Sequence, residues 1–412
     1  MSTRVIAQPK RGLLPMFGEP MVENVPPVHP ALAKGFRPFF LLAAIFAASI
    51  LPLWLAVLAG WVSVGGYLDP TTWHAHEVLY GFAGAVIAGF LLTAVGNWTK
   101  RETAVGFPLL ALALLWVAGR LAMQFAHRLP MGVAAAIDLA FFPALGVVIA
   151  RPLIATANRR QFVMLVVLGM LTSANAAIHL DALGVLPYVR RQALVFGVDV
   201  VVLLCLVIAG RVFPMFTRNA TGAEWITSYP KLDAAAILGM AVLALADAFA
   251  PAHRYGAIWA GVVAVLAAAR AIRWGSLQSF RNPLLWILHL GYAWIVVGLA
   301  LRAIARFTSV IAPAAALHAL TVGGIGCLTL GMMARGSLGH TGRLLEAPRS
   351  VVAAFVLLAA AALTRVVLPI VAPGFYMASL VVAGSLWAAA FALFLIGYGP
   401  ILTSPRVDGK AG

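Results

Sequence analysis

Hydrophobic residues in this chain do not alternate with polar ones; they run on. Apolar stretches of about 20 residues recur from residue 37 almost to the C-terminus, broken by short polar segments carrying Gly, Pro, Lys or Arg, the pattern of membrane-spanning helices. Continuous runs exclude the short alternating strands of an outer-membrane barrel. The pattern predicts an all-α polytopic membrane protein of twelve transmembrane helices. They fall near 37–60, 72–97, 104–124, 131–150, 161–183, 189–213, 232–250, 254–273, 283–305, 313–334, 350–370 and 375–398. Residues 1–35 are polar and proline-rich. They read as a flexible cytoplasmic leader with no secretory signal peptide. Residues 36–398 form the bundle and 399–412 a cytoplasmic tail, and the longest expected loops (214–231 and 335–349) leave no soluble domain.

Composition agrees. Of 412 residues, 63% are hydrophobic and 10% charged, with mean hydropathy +0.98; soluble domains carry about 25% charged residues. A soluble enzyme, a disordered tail and a fibrous protein are excluded. The net charge of +16 is spread over short loops, and no basic stretch is long enough to follow a phosphate backbone, so nucleic acid is not an expected partner. The charge is topogenic instead. With the N-terminus inside, 21 of the 29 Lys and Arg residues, including every lysine, lie on the inner side and 8 on the outer, which sets both termini in the cytoplasm. Cys205 and Cys327 fall inside apolar runs and read as packing thiols; no CxxC, CxxCH or zinc spacing occurs.

Two spans share a motif. Span 2 carries His76, Gly81, Gly84 and Gly89, and span 10 carries His318, Gly323, Gly326 and Gly331, both spaced H-x4-G-x2-G-x4-G. Span 6 carries a weaker echo in Gln192 and Gly197. Spans 2, 6 and 10 are four apart, an even number that preserves direction. The chain therefore reads as three four-helix pseudo-repeats (about 36–150, 151–273 and 281–398), with these three spans inward.

At about 1.5 Å per residue, His74, His76, His179 and His318 land in one layer just below the outer surface. Histidine in hydrocarbon is costly unless paired or ligating, and it is a common metal ligand. His76 and His318 are the candidate pair, a bis-histidine arrangement suited to haem, with His74 and His179 as further candidate ligands. Clustered imidazoles with methionine nearby suit copper instead. Arg190 and Arg191, beside Gln192, are candidate partners for haem carboxylates. Glu77 is placed to orient His76. Asp199 is an intramembrane carboxylate suited to proton movement or to pairing with an arginine.

These residues resemble the NnrS family of haem- and copper-containing bacterial membrane proteins. The resemblance is carried by Phe36-Arg37-Pro38-Phe39-Phe40-Leu41, Trp73-His74-Ala75-His76-Glu77, the stretch from Gly210 to Ala220 (GRVFPMFTRNA), His318 to Gly323, Gly331 to Arg335, and Leu338 to Arg343 with His340. It implies a multi-pass protein of the bacterial cytoplasmic membrane that binds haem, of b type, and copper. It implies a part in the response to nitric oxide and nitrosative stress, often beside denitrification, by binding or converting nitric oxide or moving electrons. It settles neither the reaction nor the electron donor. A looser architectural similarity links the chain to the large subunit of haem–copper oxidases. Span 6 has Gln192 where that pattern needs histidine, so their binuclear mechanism does not transfer. The competing reading of the span number is a transporter of a metal or small solute, but a four-span period and a polar layer near one surface differ from inverted repeats with midplane sites.

Overall fold

The computed structural model describes residues 28–64, 68–250 and 254–410; most of the expected leader lies outside them. Eleven of the described helices are long and apolar enough to cross a membrane, and the described residues contain no strand. The eleven are α1 (Phe36–Leu58), α2 (Pro70–Thr99), α3 (Phe107–Gln124), α4 (Gly132–Ala155), α5 (Arg159–Ala182), α6 (Arg190–Thr221), α7 (Pro230–Phe249), α9 (Pro283–Ala305), α10 (Pro313–His340), α11 (Arg349–Val371) and α12 (Pro373–Thr403). Between α7 and α9 lies α8 (Arg254–Ala271), only 18 residues long with arginines near both ends. Its apolar stretch is correspondingly short.

Four helices outrun their expected ends by five residues or more, α4 by running on to Ala155. α6 continues past Pro214 to Thr221, with Thr217 donating back to Phe213 O and Thr221 to Thr217 O. α10 continues to His340 and α12 to Thr403. The expected long loops are therefore partly helical.

Each helix packs on its successor around a closed circuit in which α12 returns to α1, while α3 lies outside, against α2 and α4. The most buried spans are α2, α6 and α10, with 83%, 78% and 67% of their apolar windows enclosed. Without water to drive association, such helices meet through small residues. The shared glycines show how. A Cβ at Gly81 would meet Phe46 of α1 at 2.5 Å, and one at Gly323 would meet Trp294 of α9 at 2.5 Å. Gly84 faces Phe142 of α4, and Gly326 faces Trp387 of α12. Gly89 faces Phe39 and Phe40 of α1, and Gly331 faces Ile287 and Leu288 of α9. At all three positions α2 and α10 meet corresponding neighbours. Gly197 of α6 instead faces Leu79 and Tyr80 of α2.

The two helices also share a departure from α geometry. Directly after His76 the backbone is π-helical over Glu77–Ala83, and directly after His318 over Ala319–Gly326. Such segments are rare and concentrate at functional sites.

Candidate functional site

The start of α2 is fixed by Asp69, which accepts Thr72 N at 3.0 Å and Thr72 Oγ1 at 2.6 Å, followed by Pro70 in the first turn. Asp69 lies outside the span. Burial pushes its carboxyl up, but the hydrogen bonds from Thr72 and Arg190 outweigh that and hold it below its usual range. One turn on come His74, His76 and Glu77.

His76 is fully buried and reaches outward from the bundle axis to α4 and α5. Its Nδ1 lies 3.0 Å from Glu77 Oε1; its Nε2 lies 2.9 Å from Asn175 Oδ1 and 3.2 Å from Asp138 Oδ2. His179 Nε2 is 3.0 Å from the same Asp138 oxygen, and Asn175 Nδ2 donates to it at 2.7 Å. Arg120 of α3 closes the cluster, donating to Glu77 Oε1 at 2.6 Å and closely to Asp138 Oδ1. All six side chains are buried.

Charge and hydrogen bonding agree on the protonation of this cluster. One guanidinium between two carboxylates leaves a net charge of −1. Both nitrogens of His76 face acceptors, so the ring as placed carries both protons, and the cluster is neutral. A cation bound in place of the second proton preserves that balance. The donors are set for one: His76, His179 and Asp138 each offer a ligand atom, all within 4.8 Å of one another. His76 and His179 would hold such a cation through an imidazole nitrogen each and Asp138 through a carboxylate oxygen. Two imidazoles and a carboxylate suit copper, zinc or iron.

A second node lies at the start of α10. His318 Nδ1 donates to Ala314 O at 2.7 Å, which fixes the tautomer and leaves an Nε2 lone pair available. His74 lies within electrostatic reach of His318 and of Arg365 of α11. It stacks on Trp54 with ring centroids 4.5 Å apart, and its Nδ1 is buried without a partner. Arg365 is buried and, among the described residues, hydrogen-bonds Tyr376 Oη, at 3.4 Å, and no carboxylate. Two imidazoles within electrostatic reach of each other and of such a guanidinium fit an iron porphyrin carrying its own carboxylates.

The structure thus groups His76 with His179, and His74 with His318. Arg190 is already committed to Asp181, at 2.7 Å, and to Asp69, at 3.2 Å, while Arg191 is exposed. Asp199 pairs with Arg302. His340 packs its ring against Phe36 at the opposite end of the bundle. Sequence reasoning missed two residues of the cluster. Asp138 is a carboxylate in the middle of an apolar span, which is itself the signal; Arg120 reads as an ordinary charge at a span end.

Between α2, α6 and α10 lies an apolar cavity of about 80 Å³, lined by Val86, Phe90, Leu204, Cys205, Phe213 and Leu328 among others. An apolar lining of this kind suits small apolar molecules.

A search of curated proteins returns no match. The family model described as NnrS protein matches residues 30–406, nearly the whole chain, and the chain belongs to that family.

Proposed function

We propose that this NnrS-family membrane protein binds copper through His76, His179 and Asp138 and a haem at the His74–His318 node, and serves the response to nitric oxide. The observation that carries the reading is the convergence of two imidazoles and a carboxylate on one buried point in a chain that the family model matches almost end to end. When bound, the metals supply redox chemistry and affinity for nitric oxide. The protein's own groups have distinct tasks. Arg120 and Glu77 hold Asp138 and His76 in position. His318 is kept in one tautomer by Ala314 O. Arg365 is the partner for a haem carboxylate, a role that Arg190 takes only by giving up Asp181. The axial cavity suits nitric oxide, a small and nearly apolar molecule. A haem held between His76 and His318 requires His76 to leave three acceptors, so His74 is the better partner of His318.

In the same reading α8 is the twelfth span, and α2 and α10 are equivalent members of repeated four-helix units. Both termini lie in the cytoplasm of a bacterium's inner membrane. Three of the arginines assigned outside (Arg120, Arg302 and Arg365) and three assigned inside (Arg37, Arg270 and Arg335) are largely enclosed by protein. Setting three aside on each side reduces 21 against 8 to 18 against 5, and the orientation stands.

The test is metal and haem analysis of the purified protein with optical spectra. His179→Ala lowers copper and leaves haem; His318→Ala removes the Soret band and leaves copper. Loss of both from either variant, or of neither, refutes the two-node assignment.

A further inference from the structure

A second arginine clamp lies at the same end of the bundle, where α6, α7 and α9 meet. Arg302, near the end of α9, donates to Asp199 Oδ1 at 2.7 Å and closely to Asp247 Oδ2. Exposure falls inward along the group: the side chains of Arg302, Asp247 and Asp199 are 22%, 14% and 1% exposed. The second oxygen of Asp199, Oδ2, is buried without a hydrogen-bond partner.

One guanidinium between two carboxylates again leaves −1. In the first cluster a histidine carries the compensating proton. Here the charged groups set against Asp199 are Asp247 from α7 and Arg302 from α9, and among the described residues no imidazole bonds to any of the three. A net charge enclosed in apolar surroundings is costly. Carboxylates that cannot both ionise share a proton.

We propose that Asp199 and Asp247 form a proton-binding site that holds one proton against Arg302 at neutral pH. The proton resides on the deeper carboxyl, Asp199, whose Oδ2 has no other donor. It comes from a hydronium ion of the aqueous phase past the partly exposed Asp247; the carboxyl O–H bond forms as the hydronium O–H bond breaks, and water is released. The pair then balances its guanidinium and stores a proton some two turns into α6. The inference is independent of the metal reading, since none of the three residues touches either histidine node.

Infrared spectroscopy of the full chain in lipid nanodiscs tests it. A protonated buried carboxyl gives a C=O stretch clear of the amide bands, which shifts in deuterium oxide. The wild type is expected to show this band at neutral pH and to lose it on alkaline titration. Asp199→Asn is expected to abolish it. Asp247→Asn also abolishes it, because Asp199 then balances Arg302 alone and ionises, and this less buried site guards against failure of the first variant to fold. Asp199→Glu keeps the band at a shifted frequency. A wild type without the band, or a band that survives both asparagine substitutions, overturns the proposal. Copper and haem content measured on the same samples keeps this result separate from the fate of the metal assignment.

Discussion

Replacing Arg120 by methionine tests the charge balance of the His76 cluster. Methionine keeps most of the aliphatic stem, so packing changes little and the perturbation is the lost guanidinium. Arg120 bonds two carboxylates whose side chains are 2% and 0% exposed. Removing it leaves the two carboxylates with His76 as their cationic partner, Asp138 keeping its bonds to Asn175 and His179. Truncating one partner of a buried ion pair costs about 3–5 kcal/mol, two to three orders of magnitude or more in the folded-to-unfolded ratio. With two partners orphaned, the upper half of that range is expected. The assay is reversible unfolding in mixed micelles, read by tryptophan fluorescence. Charge balance makes a second, sharper demand. Adding Asp138→Asn to Arg120→Met removes the excess negative charge and should recover stability, although each substitution alone destabilises. A coupling energy of about 1.5–3 kcal/mol is expected for residues in direct contact. If the two losses simply add to within about 0.5 kcal/mol, the cluster is not held together by charge, and the case for a compensating cation falls with it.

The motif glycines make a graded prediction. Gly81→Ala and Gly323→Ala press a Cβ into Phe46 and Trp294 at 2.5 Å and should each cost roughly 1–3 kcal/mol by overpacking. Gly84→Ala meets Phe142 at 3.3 Å and should cost less; equal losses of thermal stability for all three would contradict this packing. For the orientation, single cysteines replacing Lys100 or Lys231 in a cysteine-free background should react with an impermeant maleimide only from the cytoplasmic side, and labelling from the periplasm reverses the topology.

Much of the architecture was legible because it rests on run length and glycine spacing, which survive without tertiary information. Inward placement of α2 and α10 follows from His76, Gly81, Gly84 and Gly89 and their counterparts, since close approach requires residues without side chains. Individual pairings were less legible. Asp138 reads as a lone acidic residue in an apolar run, and only the approach of α3 and α5 shows that it joins Arg120, Asn175 and His179. Arg302 sits near a span end, where topogenic and clamping arginines look alike. The short apolar stretch of α8 is a property of its own sequence: Arg254 and Arg270 lie 16 positions apart, near the two ends of an 18-residue helix.

Both motif histidines stand directly before a π-helical segment. In a regular α-helix of 3.6 residues per turn, residues five and eight positions after a histidine lie about 140° and about 80° around the helix from it, so glycines that face neighbouring helices do not fix the direction of the histidine. An i→i+5 pattern takes nearly one more residue into each turn, and over the seven residues Glu77–Ala83 the lag amounts to a large rotation. His76 meets Asp138 and lies beside His179. His318, placed before the matching segment, lies within electrostatic reach of His74 and Arg365. The same motif used twice thus presents two histidines to two different settings. One is rich in carboxylates and suited to a bare cation; the other has a guanidinium with no carboxylate and is suited to a ligand that brings its own negative charge. A motif shared by two helices of one chain therefore does not give its two histidines the same surroundings, because the neighbouring helices supply the charged partners.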